Sequence, residues 1–172
     1  EPRSPAQFPD TFQLSFLADS QDNLAWAVFG EIAADLGERT ELAFALRYDE
    51  DTRENTTETP PQFLPFFMGG QIGTTGEVRK ETWDELQPRV SLRYQPSDRV
   101  TLFGSIGRGF RSGGFNQTGV EAAALASGFL RVRDLFDAEG ADTLEFGVKT
   151  QLADNRVNLN FSIYDTNSEG SY

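Results

Sequence analysis

The sequence predicts an all-β fold, an antiparallel up-and-down β-barrel of the kind that spans a membrane. A strand–turn–strand unit occurs three times, over residues 24–50, 86–110 and 142–167. Within each strand apolar and polar residues alternate, the pattern of a sheet with one apolar and one polar face. The strands have about ten to thirteen residues, near the ~9–11 of a tilted membrane strand and above the ~5–6 of an ordinary globular strand.

The connections between these strands alternate between short and long. Tight turns are predicted near Glu38, Ser97 and Asn155, and long loops at 51–85 and 111–141. Short turns at one rim and long loops at the other are typical of outer-membrane barrels. We therefore interpret residues 1–172 as one partial barrel domain, a transmembrane β-barrel fragment of about six strands of a larger barrel, with no plug domain.

The alternation also predicts register, because a slip of one residue moves every side chain to the opposite face. Matching apolar with apolar residues places Leu36 opposite Leu42, Tyr94 opposite Val100, and Leu152 opposite Val157. One face is expected to point outward, and the other to form the concave side. Expected outward are Trp26, Leu46, Leu92, Leu102, Val148 and Phe161, and expected on the concave side are Glu31, Arg47, Arg93, Lys149 and Asn160.

Composition excludes several classes of function. The net charge is −12, which argues against nucleic acid as a partner, since nucleic acid requires a basic surface. The chain has no Cys and no His, so thiolate metal sites and the commonest general base are absent. We predict no enzyme activity, no cofactor and no metal site. The mean hydropathy of −0.46 remains compatible with a barrel, because half of each strand faces a polar lumen.

Two local motifs resemble ligand sites but do not match the sequence patterns of those sites. The glycine-rich run 104–114 lacks the Gly-Lys-Ser/Thr of a phosphate loop and the spacing of a dinucleotide site. The segment 165–170 resembles half of a calcium loop, but position five is Glu169 and it follows a strand. A third segment, Val120–Ala126, is alanine-rich and predicts one or two helical turns ended by Gly128.

Alternation of this kind is shared by soluble proteins. A soluble sandwich, or a small self-contained β-barrel with one wet face, would alternate in the same way. Such a protein would bind a ligand or serve a structural role on its own. This reading remains the alternative to a membrane barrel at this point.

Three stretches resemble the barrel of TonB-dependent outer-membrane receptors. The first runs from Ala25-Trp26-Ala27-Val28-Phe29-Gly30-Glu31 to Leu46-Arg47-Tyr48. The second, the most specific, is Pro88-Arg89-Val90-Ser91-Leu92-Arg93-Tyr94 with Leu102-Phe103-Gly104-Ser105 and Gly109-Phe110-Arg111. The third is Glu145-Phe146-Gly147-Val148-Lys149 with the following strand. Together they cover roughly 24–167, in the order of the family.

The resemblance implies a function in transport. These receptors are 22-stranded barrels closed by an N-terminal plug, and they import scarce nutrients, mostly ferric siderophores. It implies the bacterial outer membrane as location, with membrane lipid, the TonB complex through the plug region, and a nutrient ligand such as a siderophore as partners. The long loops would be extracellular. The chain shows no plug, no TonB-contact motif and no signal peptide, so we expect it to be a middle-to-late piece of such a barrel.

Arg108 and Arg111 are the candidate substrate contacts. They lie where a strand ends at the second long loop, and their permanent charge could pair with anionic groups of a ligand. Alternatively, they pair with nearby carboxylates such as Asp134 or Asp137. We predict no catalytic residues.

Overall fold

Six long strands form one sheet in the computed structural model, which describes residues 18–64, 66–67, 70–153 and 156–170. Their order in the sheet follows the order in the chain, so the first strand, β1 Asp19–Asp35, and the last, β10 Val157–Glu169, are the outer strands. The long strands are β1 Asp19–Asp35, β2 Thr40–Thr57, β5 Val78–Ser97, β6 Val100–Arg111, β9 Glu139–Leu152 and β10 Val157–Glu169. This arrangement confirms the predicted all-β fold.

The connections contain short elements. Between β2 and β5 lie a 3₁₀ turn, Pro61–Phe63, and the paired strands β3 Phe66–Phe67 and β4 Gly70–Gln71. Between β6 and β9 lie β7 Gly114–Phe115, helix α1 Val120–Ala126 and β8 Leu135–Phe136, with β7 paired to β8. The predicted helix is confirmed, and Gly128 follows it with a left-handed φ of 84°. No helix among the described residues is long and apolar enough to cross a membrane.

Antiparallel pairing joins the strands, and the predicted register of the third hairpin is confirmed. Leu152 lies opposite Val157, which sets Val148 beside Phe161 and Lys149 beside Asn160. The third predicted turn centres on Asn155, which lies outside the described residues. The other two turns are Leu36–Arg39 and Asp98–Arg99.

The predicted register of the second hairpin is wrong. Tyr94 lies opposite Leu102, and Val100 lies opposite Ser97 instead of Tyr94. Between these rungs β5 advances three residues while β6 advances two, so β5 carries a bulge at Gln95 and Pro96. A proline has no N–H to donate to the ladder, which makes this a natural position for the irregularity.

The first hairpin differs from its prediction by two residues. The Leu36 N–H donates to the Thr40 carbonyl at 2.8 Å, so Leu36 lies opposite Thr40 and not Leu42. A shift of two residues leaves each side chain on its original face, because the side-chain period of a strand is two. The prediction of faces therefore survives the error in register.

The strands extend further toward the loops than predicted. β2 has 18 residues and β5 has 20, so the first connection is 58–77, shorter than the expected 51–85. The second connection is 112–138, close to the expected 111–141. Polar residues occupy the extensions, which is why alternation of apolar residues did not identify them.

Packing divides the chain into two compact units. The hairpin unit comprises 24–52, 82–113 and 137–172, and the loop unit comprises 1–23, 53–81 and 114–136. Buried apolar residues are few among the described ones: Ala43, Leu64 and Trp83. Most large apolar side chains are exposed, including Phe29, Phe161 and Ile163.

Most of the exposed apolar side chains of the hairpin unit share one face of the sheet, while alternation places Phe29 and Tyr164 on the other. Register and alternation place Tyr94, Leu102, Val148 and Phe161 on one rung of this face. The neighbouring rung on the opposite face holds Arg93, Phe103, Gly147 and Ser162. The sheet is thus apolar on one side and mixed polar on the other.

Candidate functional site

Arg108 lies on β6, and its guanidinium contacts two carboxylates of the hairpin unit. Nε donates to Glu85 Oε1 at 2.7 Å, and one terminal nitrogen lies 3.3 Å from Asp142 Oδ2. The side chain is 30% exposed. Its positive charge is therefore largely offset by neighbours in the sheet.

Arg111, at the end of β6, is placed differently. Its side chain is 81% exposed and reaches Glu139 Oε2 only at 4.0 Å. Such a pair in water contributes about 0–1 kcal/mol, so it constrains the side chain only weakly. Of the two predicted contacts, Arg111 is the one that presents its charge to solvent.

Three carboxylates that were not predicted as partners contact the two arginines. The structure pairs the two arginines with Glu85, Asp142 and Glu139. Asp134 instead accepts hydrogen bonds from the Gly119 and Glu121 backbone N–H groups, at 3.1 and 2.9 Å. It therefore fixes the start of α1.

Sequence reasoning missed the polar centre of the loop unit, which surrounds Arg79 of β5. Its Nη2 donates to Asn55 Oδ1 at 2.5 Å and to the Asn116 carbonyl at 3.0 Å, and lies 3.4 Å from Asp19 Oδ2. The guanidinium carbon also lies 5.1 Å from the centre of the Phe115 ring. These partners are far apart in the chain, so no local sequence motif indicates that they contact Arg79.

An exposed apolar segment follows α1. Phe129 is 64% exposed and Leu130 is 77% exposed. The exposed Arg131 and Arg133 follow them, with Val132 between the two arginines. Residues 129–133, which we call the tip segment, contain no acidic side chain in a chain of net charge −12.

The polar face of the hairpin unit contains a hollow of about 540 Å³. Arg89, Arg93 and Lys149 line it together with Glu41 and Glu145. Arg93 pairs with Glu41 at 3.1 Å. Within the described part of the chain, no group of three or more acidic residues is arranged to hold a metal ion.

Two aromatic residues mark the apolar face near its loop end. The rings of Trp26 and Tyr48 lie 5.5 Å apart, and Trp26 Nε1 donates to Glu50 Oε1 at 3.1 Å. Aromatic rings with a polar group at one edge are typical of the boundary between lipid and water. Together with the two-faced sheet and its alternating connections, this pair defines the wall of a membrane-type β-barrel.

The chain belongs to the family of TonB-dependent receptor-like β-barrels. Residues 2–170 match this family, described as "TonB dependent receptor-like, beta-barrel". The match covers almost the whole chain and confirms the resemblance seen in its strands. The family consists of receptors and transporters rather than enzymes.

Solved structures show the same fold. Similar chains include the ferric yersiniabactin uptake receptor FyuA from Yersinia pestis, with a TM-score of 0.64, and the siderophore receptor PiuA from Acinetobacter baumannii, with 0.60. The ferric-catecholate import receptor Fiu from E. coli K12 gives 0.66. Each is 16% identical. They cover 88%, 85% and 88% of this chain, respectively.

The chain spans about a fifth of the length of these receptors, covering 21%, 19% and 22% of them. A search among curated proteins found no match.

Proposed function

We propose that this chain forms part of the wall of an active outer-membrane transporter that takes up a scarce nutrient such as a ferric siderophore. The observation that carries the proposal is the family match over 2–170. The exposed apolar face supports it, because a sheet of this kind is stable against lipid and costly against water.

The partners follow from the same proposal. Membrane lipid would cover the apolar face, and energy would come from the TonB complex through a plug region. Two of the similar structures are named as receptors for ferric ligands and the third as a siderophore receptor, which suggests a ferric complex as the nutrient. In this arrangement the tight turns face the periplasm and the connections 58–77 and 112–138 face outward.

The outward connections would capture the ligand. The second one follows Arg111, whose exposed guanidinium can pair with an anionic group. Arg108 would act mainly by keeping the strand ends together, since its charge is shared with Glu85 and Asp142.

Growth of the source bacterium under iron limitation tests this proposal. A strain lacking the full-length gene is compared with the parent on a panel of ferric tris-catecholate, ferric tris-hydroxamate and ferric phenolate complexes. We expect growth on one complex to require both the gene and TonB. Equal growth of both strains on every complex would reject iron uptake, and growth that requires the gene but not TonB would reject active transport.

A second measurement distinguishes the proposed membrane barrel from a soluble, self-contained barrel. The full-length protein should be recovered from the outer-membrane fraction only with detergent. Recovery as a soluble monomer in detergent-free buffer would favour the alternative.

A further inference from the structure

Arg79 connects three separate parts of the loop unit through one nitrogen atom. Its Nη2 contacts Asp19 at the start of β1, Asn55 near the end of β2, and the Asn116 carbonyl beyond β7. The Phe115 ring lies under the guanidinium at 5.1 Å. A planar guanidinium suits this position, because it can stack on a ring while donating hydrogen bonds at its edge.

Thr118 fastens the same loop at a second point. Its N–H donates to Asp19 Oδ2 at 3.3 Å. The Asp19 carboxylate therefore accepts hydrogen bonds from both the Arg79 side chain and the loop backbone. Its hydroxyl lies 2.8 Å from that of Thr57, with the two residues 8% and 1% exposed. Buried hydroxyls that are hydrogen-bonded to each other define one position for the loop.

The attachment continues from Asn116 toward the tip segment. The Asn116 side-chain amide donates to the Arg133 carbonyl at 2.7 Å, and its N–H donates to the Asp134 carbonyl at 2.9 Å. Asn116, whose carbonyl accepts the hydrogen bond from Arg79, thus also holds the far end of the loop at Arg133 and Asp134. Between the two ends lie α1 and the exposed Phe129 and Leu130.

We propose that Arg79 is a positioning residue for ligand capture, which acts through Asn116 to hold the tip segment 129–133 as a preformed contact surface. This inference rests on the proposed function. The tip offers two apolar side chains beside two arginines, a combination suited to an anion with apolar surface. Exposed apolar groups gain affinity when they are held in place before binding, because less ordering remains to be done.

Limited trypsin digestion of the full-length receptor in outer-membrane vesicles tests the attachment without any ligand. Trypsin cleaves after Arg131 and Arg133, which are exposed, and the new ends are counted by mass spectrometry. We expect Arg79→Gln to speed cleavage at these two sites about tenfold. The matched control is Lys80→Gln, since Lys80 is the next residue, is 62% exposed and pairs with Glu54 only at 3.7 Å.

A second variant covers the case in which Arg79→Gln fails to reach the membrane. Asn116→Ala keeps the carbonyl that receives Arg79 and removes only the bond to Arg133. We expect it to release the tip in the same way. Cleavage at wild-type rates in both Asn116→Ala and any correctly inserted Arg79 variant would overturn the proposal.

Uptake kinetics then separate positioning from general damage. The probe is whichever ferric complex of the panel supports receptor-dependent growth, labelled with radioactive iron. We expect Arg79→Gln to raise the half-saturating concentration about tenfold while the maximal rate per receptor stays unchanged, and Arg79→Lys to lie between. A lower maximal rate with unchanged half-saturation would reject the role in capture. If the wild type takes up no complex, the proposed function fails, while the digestion result still decides whether Arg79 holds the tip.

Discussion

The phenyl ring of Phe103 lies directly over the backbone of Gly147, its partner across β6 and β9. A Cβ atom on Gly147 would collide with the tip of this ring and would stand 2.8 Å from the Phe161 carbonyl oxygen. The Lys149 ammonium lies 5.2 Å from the centre of the same ring. On this rung of the polar face, the Phe103 ring therefore also occupies the space that a side chain at position 147 would need.

Gly147→Ala should destabilise the folded barrel. The added methyl group has to displace Phe103 or the backbone, and overpacking of this kind costs about 1–3 kcal/mol. Urea unfolding of the full-length receptor in detergent micelles measures the change. Gly30→Ala is the control, because a Cβ there meets nothing within 4 Å, and loss of a strand glycine should be neutral or stabilising by ~0.5–1 kcal/mol. Equal stabilities of the Gly147 variant and wild type would show that the ring moves aside freely.

A charge on the apolar face should be costly if that face contacts lipid. We expect Leu102→Arg to destabilise the inserted barrel by about 2–4 kcal/mol, the range for arginine deep in a bilayer. Folding yield into lipid vesicles under a urea series measures it. The control is Ser105→Arg on the polar face, which lies opposite Ser91 and Glu145 and gains a carboxylate partner. Similar effects of both changes would mean that the two faces share the same surroundings.

Substitutions of the two arginines at the loop end of β6 should affect stability and ligand capture differently. Arg108→Ala leaves Glu85 without its 2.7 Å partner and should lower stability by about 1 kcal/mol or less with little change in ligand affinity. Arg111→Ala should leave stability unchanged and weaken capture of an anionic ferric complex a few-fold at low salt. Because its charge is exposed, this loss should shrink at ~1 M salt, where screening acts within about 3 Å. Full affinity in the Arg111 variant would remove this residue from the ligand contacts.

How far the sequence determines the structure differs between the two units. In the hairpin unit, alternation predicted the faces, and the pairing of Leu152 with Val157 followed from keeping apolar residues together. The bulge beside Pro96 was not predictable from alternation, because a bulge changes the count of residues and not their chemistry. Leu36 was misplaced by two residues, an error to which the period-two pattern is blind.

The loop unit followed no periodic rule, and its centre went unrecognised. Arg79 contacts Asp19, Asn55 and Asn116, which lie 60, 24 and 37 positions away from it in the sequence. Only the fold brings them together. Arg108, predicted to flank a strand end, lies three residues before the end of β6. Its partners come from neighbouring strands, Asp142 directly opposite it on β9 and Glu85 on β5, so no local motif indicates them.

The 172-residue chain produced alone should not give a stable monomer. β1 and β10 are the outer strands, and every described residue of β10 is exposed. Such strands carry unpaired backbone groups and serve as templates for association. Size-exclusion chromatography with light scattering after refolding should show oligomers or aggregates, with and without detergent. A single monomeric peak that unfolds cooperatively in detergent-free buffer would contradict this expectation.

The 20 residues of β5 make that strand about 68 Å long at ~3.4 Å per residue. An apolar band about 25 Å tall, crossed at a tilt of ~45°, takes up only about half of such a strand. The rest of β5, with Arg79 near its end, would stand above the lipid in the proposed orientation. A molecule that approaches the bacterium from outside would then meet this raised part of the wall before it reaches the lipid. Substitutions there would change the outward-facing surface and leave the part of β5 inside the apolar band unchanged.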